Sequence, residues 1–332
     1  MKATAVPAFE PHPWFRGGHL QTIAGRFLPG RTIRLFASYH EVKLDDGDRL
    51  ALLDSIPSGW RVGHPGAVLV HGLGGCARAP YVVRLADRLV RLGVRVVRMN
   101  LRGAGAGFGV SREVYHAGRT GDVRAVANWL KSQTPGSPLA LVGFSLGASL
   151  VLKLAAESGA GVPVPGLDCV LAANPPLDLK ACSQCFNSTI NRFYERNFLS
   201  TLKQAIRRHH ANDPVPELAE LDRVRTLYGF DSVYTAPRHG FDGVEQYYAQ
   251  SSAGPCLAQI QVPGLIVHAQ DDPFIPVETM RNVTLPSQID FRLVRSGGHL
   301  GYIARDRDGL DRRWLDGQFA DWLANRWKSF AR

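Results

Sequence analysis

The sequence predicts an α/β fold whose central sheet is mostly parallel and covered by helices on both faces. Short, nearly all-apolar runs at 67–70, 94–99, 139–142, 169–172 and 265–268 read as strands buried on both sides. Helical patterns at 81–92, 120–131 and 146–157 alternate with them. With 332 residues, 45% of them hydrophobic, the chain can bury the core of one large domain.

Residues 1–30 read as an arm packed on the body. Two prolines, Trp14 and Phe15 precede a short helical pattern, Leu20, Ile23 and Phe27, which Pro29-Gly30 closes. Its polar residues have no role that the local pattern assigns. Runs at 42–44 and 50–56 flank Asp45-Asp46-Gly47-Asp48, a turn signal that predicts a hairpin. A Gly/Pro-rich linker, 58–66, then leads into the buried strands.

After Asn174-Pro175-Pro176 the alternation stops. Ile190, Phe193, Tyr194, Phe198, Leu199, Leu202 and Ile206 fall at helical spacing, and Pro-rich and aromatic pieces follow. Segment 177–253 is therefore expected to be a helical cap inserted into a core formed by 31–176 and 254–332. A last strand, 291–294, precedes a helix carrying Trp314, Leu315, Phe319, Trp322, Leu323 and Trp327. That spacing places the aromatic stripe in the core rather than on a membrane.

The formal charge is +10, from 39 basic and 29 acidic side chains, yet no basic block is interleaved with aromatics. Nucleic-acid binding is disfavoured; weak peripheral attraction to anionic membranes, or to acidic amphiphiles, is the better use of that charge. The five cysteines are an odd count in apolar surroundings, and the opening residues lack an apolar leader, so a cytoplasmic location is expected. Cys182-Ser183-Gln184-Cys185 lacks both the frame of a redox motif and the further ligands of a zinc site. No cofactor or metal is expected, and nothing encodes the oligomeric state.

Chemistry concentrates just past the strands, where ligands of parallel sheets bind. The run 139–142 is followed by Gly143-Phe144-Ser145-Leu146-Gly147 and a helix, placing Ser145 at a sharp strand–turn–helix apex. Glycine on each side answers to the lack of room for a Cβ, and the helix aims its amides and positive dipole end at the apex. His71-Gly72-Leu73-Gly74-Gly75 follows the first buried strand. The backbone amides of Leu73 and Leu146 are the candidate oxyanion donors. The spacing of these glycines excludes a dinucleotide fingerprint.

Asp271 and Asp272 follow the strand at 265–268, and Ser296-Gly297-Gly298-His299 follows the last strand. A serine nucleophile needs an imidazole base and a carboxylate to orient it. Ser145, then an aspartate, then His299 is the chain order expected when the three come from successive strands. His268 is expected within its strand, and His71 in shaping its turn.

By these motifs the chain resembles the α/β-hydrolases, and more narrowly the YheT-like family of hydrolases, which is related to eukaryotic α/β-hydrolase-domain proteins that act on phospholipids. The resemblance covers nearly the whole chain. It rests on Pro13-Trp14-Phe15-Arg16 with His19-Leu20-Gln21-Thr22, on the two glycine-rich turns, on Asn100-Leu101-Arg102-Gly103 and Tyr115-His116-Ala117-Gly118, and on Asp271-Asp272-Pro273-Phe274 and Gly298-His299. It implies an α/β-hydrolase fold and a serine-dependent hydrolase of carboxylic esters, its substrate a small-molecule ester or lipid. It selects Asp272 as the acid, so that the implied triad is Ser145, Asp272 and His299. The eukaryotic relatives begin with a membrane anchor, and none is expected here. An acyltransferase or thioesterase uses the same parts, and a catalytically silent α/β-hydrolase fold used for binding is the alternative outside enzymes.

Overall fold

The computed structural model describes residues 8–28, 32–186, 188–306 and 312–328. Pro29-Gly30, the expected stop of the arm helix, lies outside them. Helix α1 (Gly18–Phe27) precedes a hairpin of β1 (Ser38–Lys43) and β2 (Arg49–Ser55). The alternating body follows: β3 (Gly66–Val70), α2 (Pro80–Arg91), β4 (Arg95–Met99), α3 (Thr120–Gln133), β5 (Leu139–Phe144), α4 (Leu146–Gly159) and β6 (Leu167–Ala173).

Between β6 and β7 the chain is helical: α5 (Leu179–Cys185), α6 (Asn191–His209), α7 (Glu217–Leu221), α8 (Leu227–Phe230), α9 (Ala236–Arg238) and α10 (Val244–Ser251). It returns through β7 (Gly264–Ala269), α11 (Glu278–Arg281), β8 (Ile289–Val294) and α12 (Trp314–Arg326). Among the described residues no helix is long and apolar enough to cross a membrane.

The strands form one eight-stranded sheet in the order β1-β2-β4-β3-β5-β6-β7-β8. β1 pairs with β2 and β2 with β4 antiparallel, and every later pair is parallel. Strands β3, β4 and β5 are buried along their whole length, because helices cover both faces. Their side chains alternate between two cores. Val68, Val70, Leu141 and Ile266 join α3 and α4 on one face. Leu69, Val142, Leu171 and Val267 join α2 and α12 on the other, where Leu315, Phe319 and Leu323 are buried as the sequence predicts.

Two of the motifs prove to be braces. Asn100 accepts from the Ala77 amide at 3.0 Å and donates to Ala51 O at 3.1 Å, tying the end of β4 to its neighbours. The Arg102 guanidinium grips both oxygens of Asp122 at 2.7 and 2.8 Å and reaches Asp46 and Asp48 in the hairpin turn. Such a buried, bidentate cluster fixes the loop after β4 in one geometry.

The apolar row of α1 does not face the body. Leu20, Ile23 and Phe27 are exposed, while Gln21 and Ala24 are buried. The helix packs through its polar and small residues, because what it covers is a loop with backbone groups to satisfy.

Candidate active site

Ser145 occupies the turn between β5 and α4 with φ 52° and ψ −121°, a sparsely populated conformation for a residue with a Cβ. It is held there by its neighbours: Ser145 N donates to Ala173 O at 2.9 Å, and its own carbonyl accepts from Ala148 N at 2.8 Å. The flanking glycines answer to space. A Cβ on Gly143 would enter the Gly147 carbonyl, and one on Gly147 would sit 2.5 Å from His71 O.

His299 Nε2 lies 2.9 Å from Ser145 Oγ, and its Nδ1 lies 2.9 Å from Asp272 Oδ2. The three side chains come from the turns after β5, β7 and β8. Asp272 is buried, which by itself would raise its pKa; the facing His299, with His268 and the Phe274 amide, outweighs burial and holds the carboxyl below its usual range. Its Oδ1 accepts from the amides of Phe274 at 2.8 Å and Ile275 at 3.2 Å. An ionised Asp272 accepts a proton-bearing Nδ1, which leaves the Nε2 lone pair for the serine hydroxyl.

Asp271 faces elsewhere and accepts from the Gly298 amide at 2.9 Å. Adjacent residues past the strand thus divide the work: one carboxylate meets the imidazole, the other pins its loop.

The turn after β3 lies against the serine, since a Cβ on Gly72 would be 3.0 Å from Ser145 Cβ. Tyr81 Oη accepts the Gly72 amide at 3.1 Å, and Tyr115 Oη accepts the Gly74 amide at 2.8 Å. The Leu73 N–H between them is not consumed by either tyrosine. The Leu146 N–H is the first amide of α4, at the end that favours negative charge. His71 is buried, which lowers its pKa to about 4. Neutral, it donates from Nδ1 to Gly72 O at 2.8 Å and accepts Leu101 N–H on Nε2 at 3.1 Å, shaping the turn. His268 lies within β7, and burial lowers its pKa too.

A family model described as the alpha/beta hydrolase fold matches residues 68–306, the stretch that holds all of these turns. The chain belongs to the α/β-hydrolase fold family. It is 33% identical to YheT of Escherichia coli, named as an esterase, over 95% of this chain and 92% of that protein. It is 27% identical to mouse phospholipase ABHD3 over 89% of this chain and 73% of the relative. An esterase of Pyrococcus furiosus, Pf2001, shares the fold with a TM-score of 0.57 at 15% identity, over 92% of this chain and all of that one.

Within this α/β-hydrolase the arm does what sequence reasoning missed. Thr22 Oγ1 accepts the His299 N–H at 2.8 Å. Gln21 accepts Ile303 N–H at 2.7 Å while its amide donates to Phe15 O at 2.7 Å and Ile303 O at 3.1 Å. A Cβ on Gly25 would lie 2.7 Å from Gly301 Cα, so helix and loop touch backbone to backbone. The loop needs this support, because Leu300 and Tyr302 adopt φ 59° and 44° without being glycine. Asn174 completes the clamp, donating to Asp272 Oδ2 at 2.6 Å and Gly298 O at 3.2 Å while accepting from the Tyr302 hydroxyl at 2.7 Å. The one signal in the sequence was an arm rich in polar residues with no local partner.

The aromatic residues between β6 and β7 divide. Phe274 packs on His299 with ring centroids 4.9 Å apart, and Tyr194, Phe186 and Phe198 surround Phe274 at 4.9, 5.6 and 5.5 Å. Leu199 instead packs with Val114, Ile206 and Leu221, and Phe193 is exposed.

Proposed function

We propose that the chain is a serine hydrolase that cleaves carboxylic esters through an acyl-enzyme. The observation that carries this reading is the continuous relay from Ser145 Oγ through His299 to Asp272, both links 2.9 Å, beside two backbone amides. His299 Nε2 takes the Ser145 proton as Oγ bonds to the ester carbonyl carbon. The Leu73 and Leu146 amides hold the oxyanion, and Asp272 stabilises the imidazolium. The imidazolium then returns its proton to the departing alcohol. Water repeats the sequence on the acyl-enzyme and releases the acid. Every proton moves between Oγ, Nε2, alcohol and water, so no cofactor enters.

The segment 177–253 acts in this reading as a cap. Its Phe186, Tyr194 and Phe198, gathered with Phe274 beside His299, offer the acyl chain an apolar wall. The names of the relatives, esterase and phospholipase, support acyl or lipid-like esters as the substrate class.

The test is hydrolysis of p-nitrophenyl and phospholipid esters across chain lengths, with Ser145→Ala as control. Turnover that the control abolishes is expected. Hydrolysis unchanged in the control, or no turnover of any ester, would overturn the proposal.

A further inference from the structure

We propose that α1 and the first turns of α6 form a docking surface for anionic phospholipid bilayers. The proposal rests on the ester-hydrolase reading for its consequence, delivery of lipid substrate to Ser145, and deepens it. Leu20, Ile23 and Phe27 fall on one side of α1, and Phe27 is 72% exposed. Ile190 and Phe193 stand out from the start of α6, with Phe193 74% exposed. The two groups are neighbours, because His19 stacks on Tyr194 with ring centroids 5.7 Å apart and an angle of 7°.

The exposed charged side chains on α1 and on the first turns of α6 are all basic. Residues 11–40 contain no aspartate or glutamate. Arg16 and Arg26 on the arm and Arg192 and Arg196 on α6 are exposed, whereas Glu195 is buried and accepts the Leu227 amide. Exposed apolar side chains interspersed along the chain with exposed arginines, Arg26 lying over the Phe27 ring at 5.4 Å, match an interface of acyl chains beneath anionic headgroups. A second copy of this chain would bring the same arginines and repel it.

The surface lies where a lipid hydrolase can use it. The opposite side of α1 grips the His299 loop, and Tyr194 touches Phe274, which packs on His299. A bilayer seated on this rim would present an ester beside the relay.

The experiment is co-sedimentation of the full chain carrying Ser145→Ala with two kinds of vesicle, phosphatidylcholine alone and a phosphatidylglycerol–phosphatidylcholine mixture. Binding to the mixture is expected to exceed binding to phosphatidylcholine. Arg16→Gln with Arg26→Gln should weaken it by about fivefold per arginine. Phe27→Ser with Phe193→Ser should weaken it further at an unchanged melting temperature. Equal binding to both vesicles, no binding, or binding indifferent to these variants would overturn the proposal. So would a dimer that the Phe27→Ser, Phe193→Ser variant dissociates without any vesicle binding, since the face would then belong to a second copy. Charge-dependent vesicle binding by a wild-type chain that cleaves no ester would uphold the surface and overturn only the ester reading.

Discussion

Thr22 and His299 are joined by one hydrogen bond of 2.8 Å, from the His299 backbone N–H to the Thr22 hydroxyl oxygen. The same hydroxyl donates to Gly18 O at 2.7 Å, so its direction is fixed. Thr22 is thus a positioning residue for the proposed base. Thr22→Val removes the acceptor and leaves the amide unpaired, a loss of about 1–2 kcal/mol. The expected result is a 5–30-fold fall in kcat/KM, on the order that such an energy implies, with Thr22→Ser close to wild type. A purely structural role would lower the melting temperature of Thr22→Val and leave kcat of the folded protein unchanged.

Asp271 and Asp272 should separate in kinetics as they do in space. Asp272→Asn keeps the shape but cannot enforce the imidazole tautomer or stabilise its cation, and is expected to lower kcat on the order of 10⁴-fold. Asp271→Asn weakens only the bond to the Gly298 amide, and should lower kcat by about tenfold or less. Steady-state kinetics on a single soluble ester compares the two. The reverse order would assign the orienting role to Asp271.

Asp231 supplies a prediction for stability. Burial raises its pKa to about 6, with the Thr235 and Tyr248 hydroxyls hydrogen-bonded to it at 2.6 and 2.8 Å. Because the folded-state value lies above the ordinary 3.8, folding favours the protonated carboxyl. That stabilisation is fully present below the unfolded value and is lost as pH rises through about 6. Asp231→Asn should therefore be more stable than wild type by about 1–2 kcal/mol near neutrality, and the two should converge in acid. Thermal melts across pH check it; a destabilised variant at neutral pH would contradict the account.

The frame of the fold was legible because a parallel sheet covered on both faces leaves continuous apolar runs, as at β3 and β5. Ser145 and His299 were legible for a related reason: each follows its own strand, in an order that topology constrains. Asp272 needed the family resemblance, since alternation alone left Asp271 equally placed. The arm's short helix was legible, but what its polar residues hold was not. Thr22 and Gln21 bond to residues 277 and 282 positions away, and a contact so remote leaves no periodic trace. Nor does local spacing tell which face of α1 meets the body: its apolar row is exposed, and Gln21 and Ala24 are buried.

The central claim is that Ser145 is the nucleophile. Labelling with a fluorophosphonate probe, followed by mass mapping of the modified peptide, tests it most directly. The account predicts one labelled site, Ser145, with labelling lost in Ser145→Ala and strongly slowed in a variant of His299. Labelling at another serine, or undiminished labelling of Ser145→Ala, would contradict it.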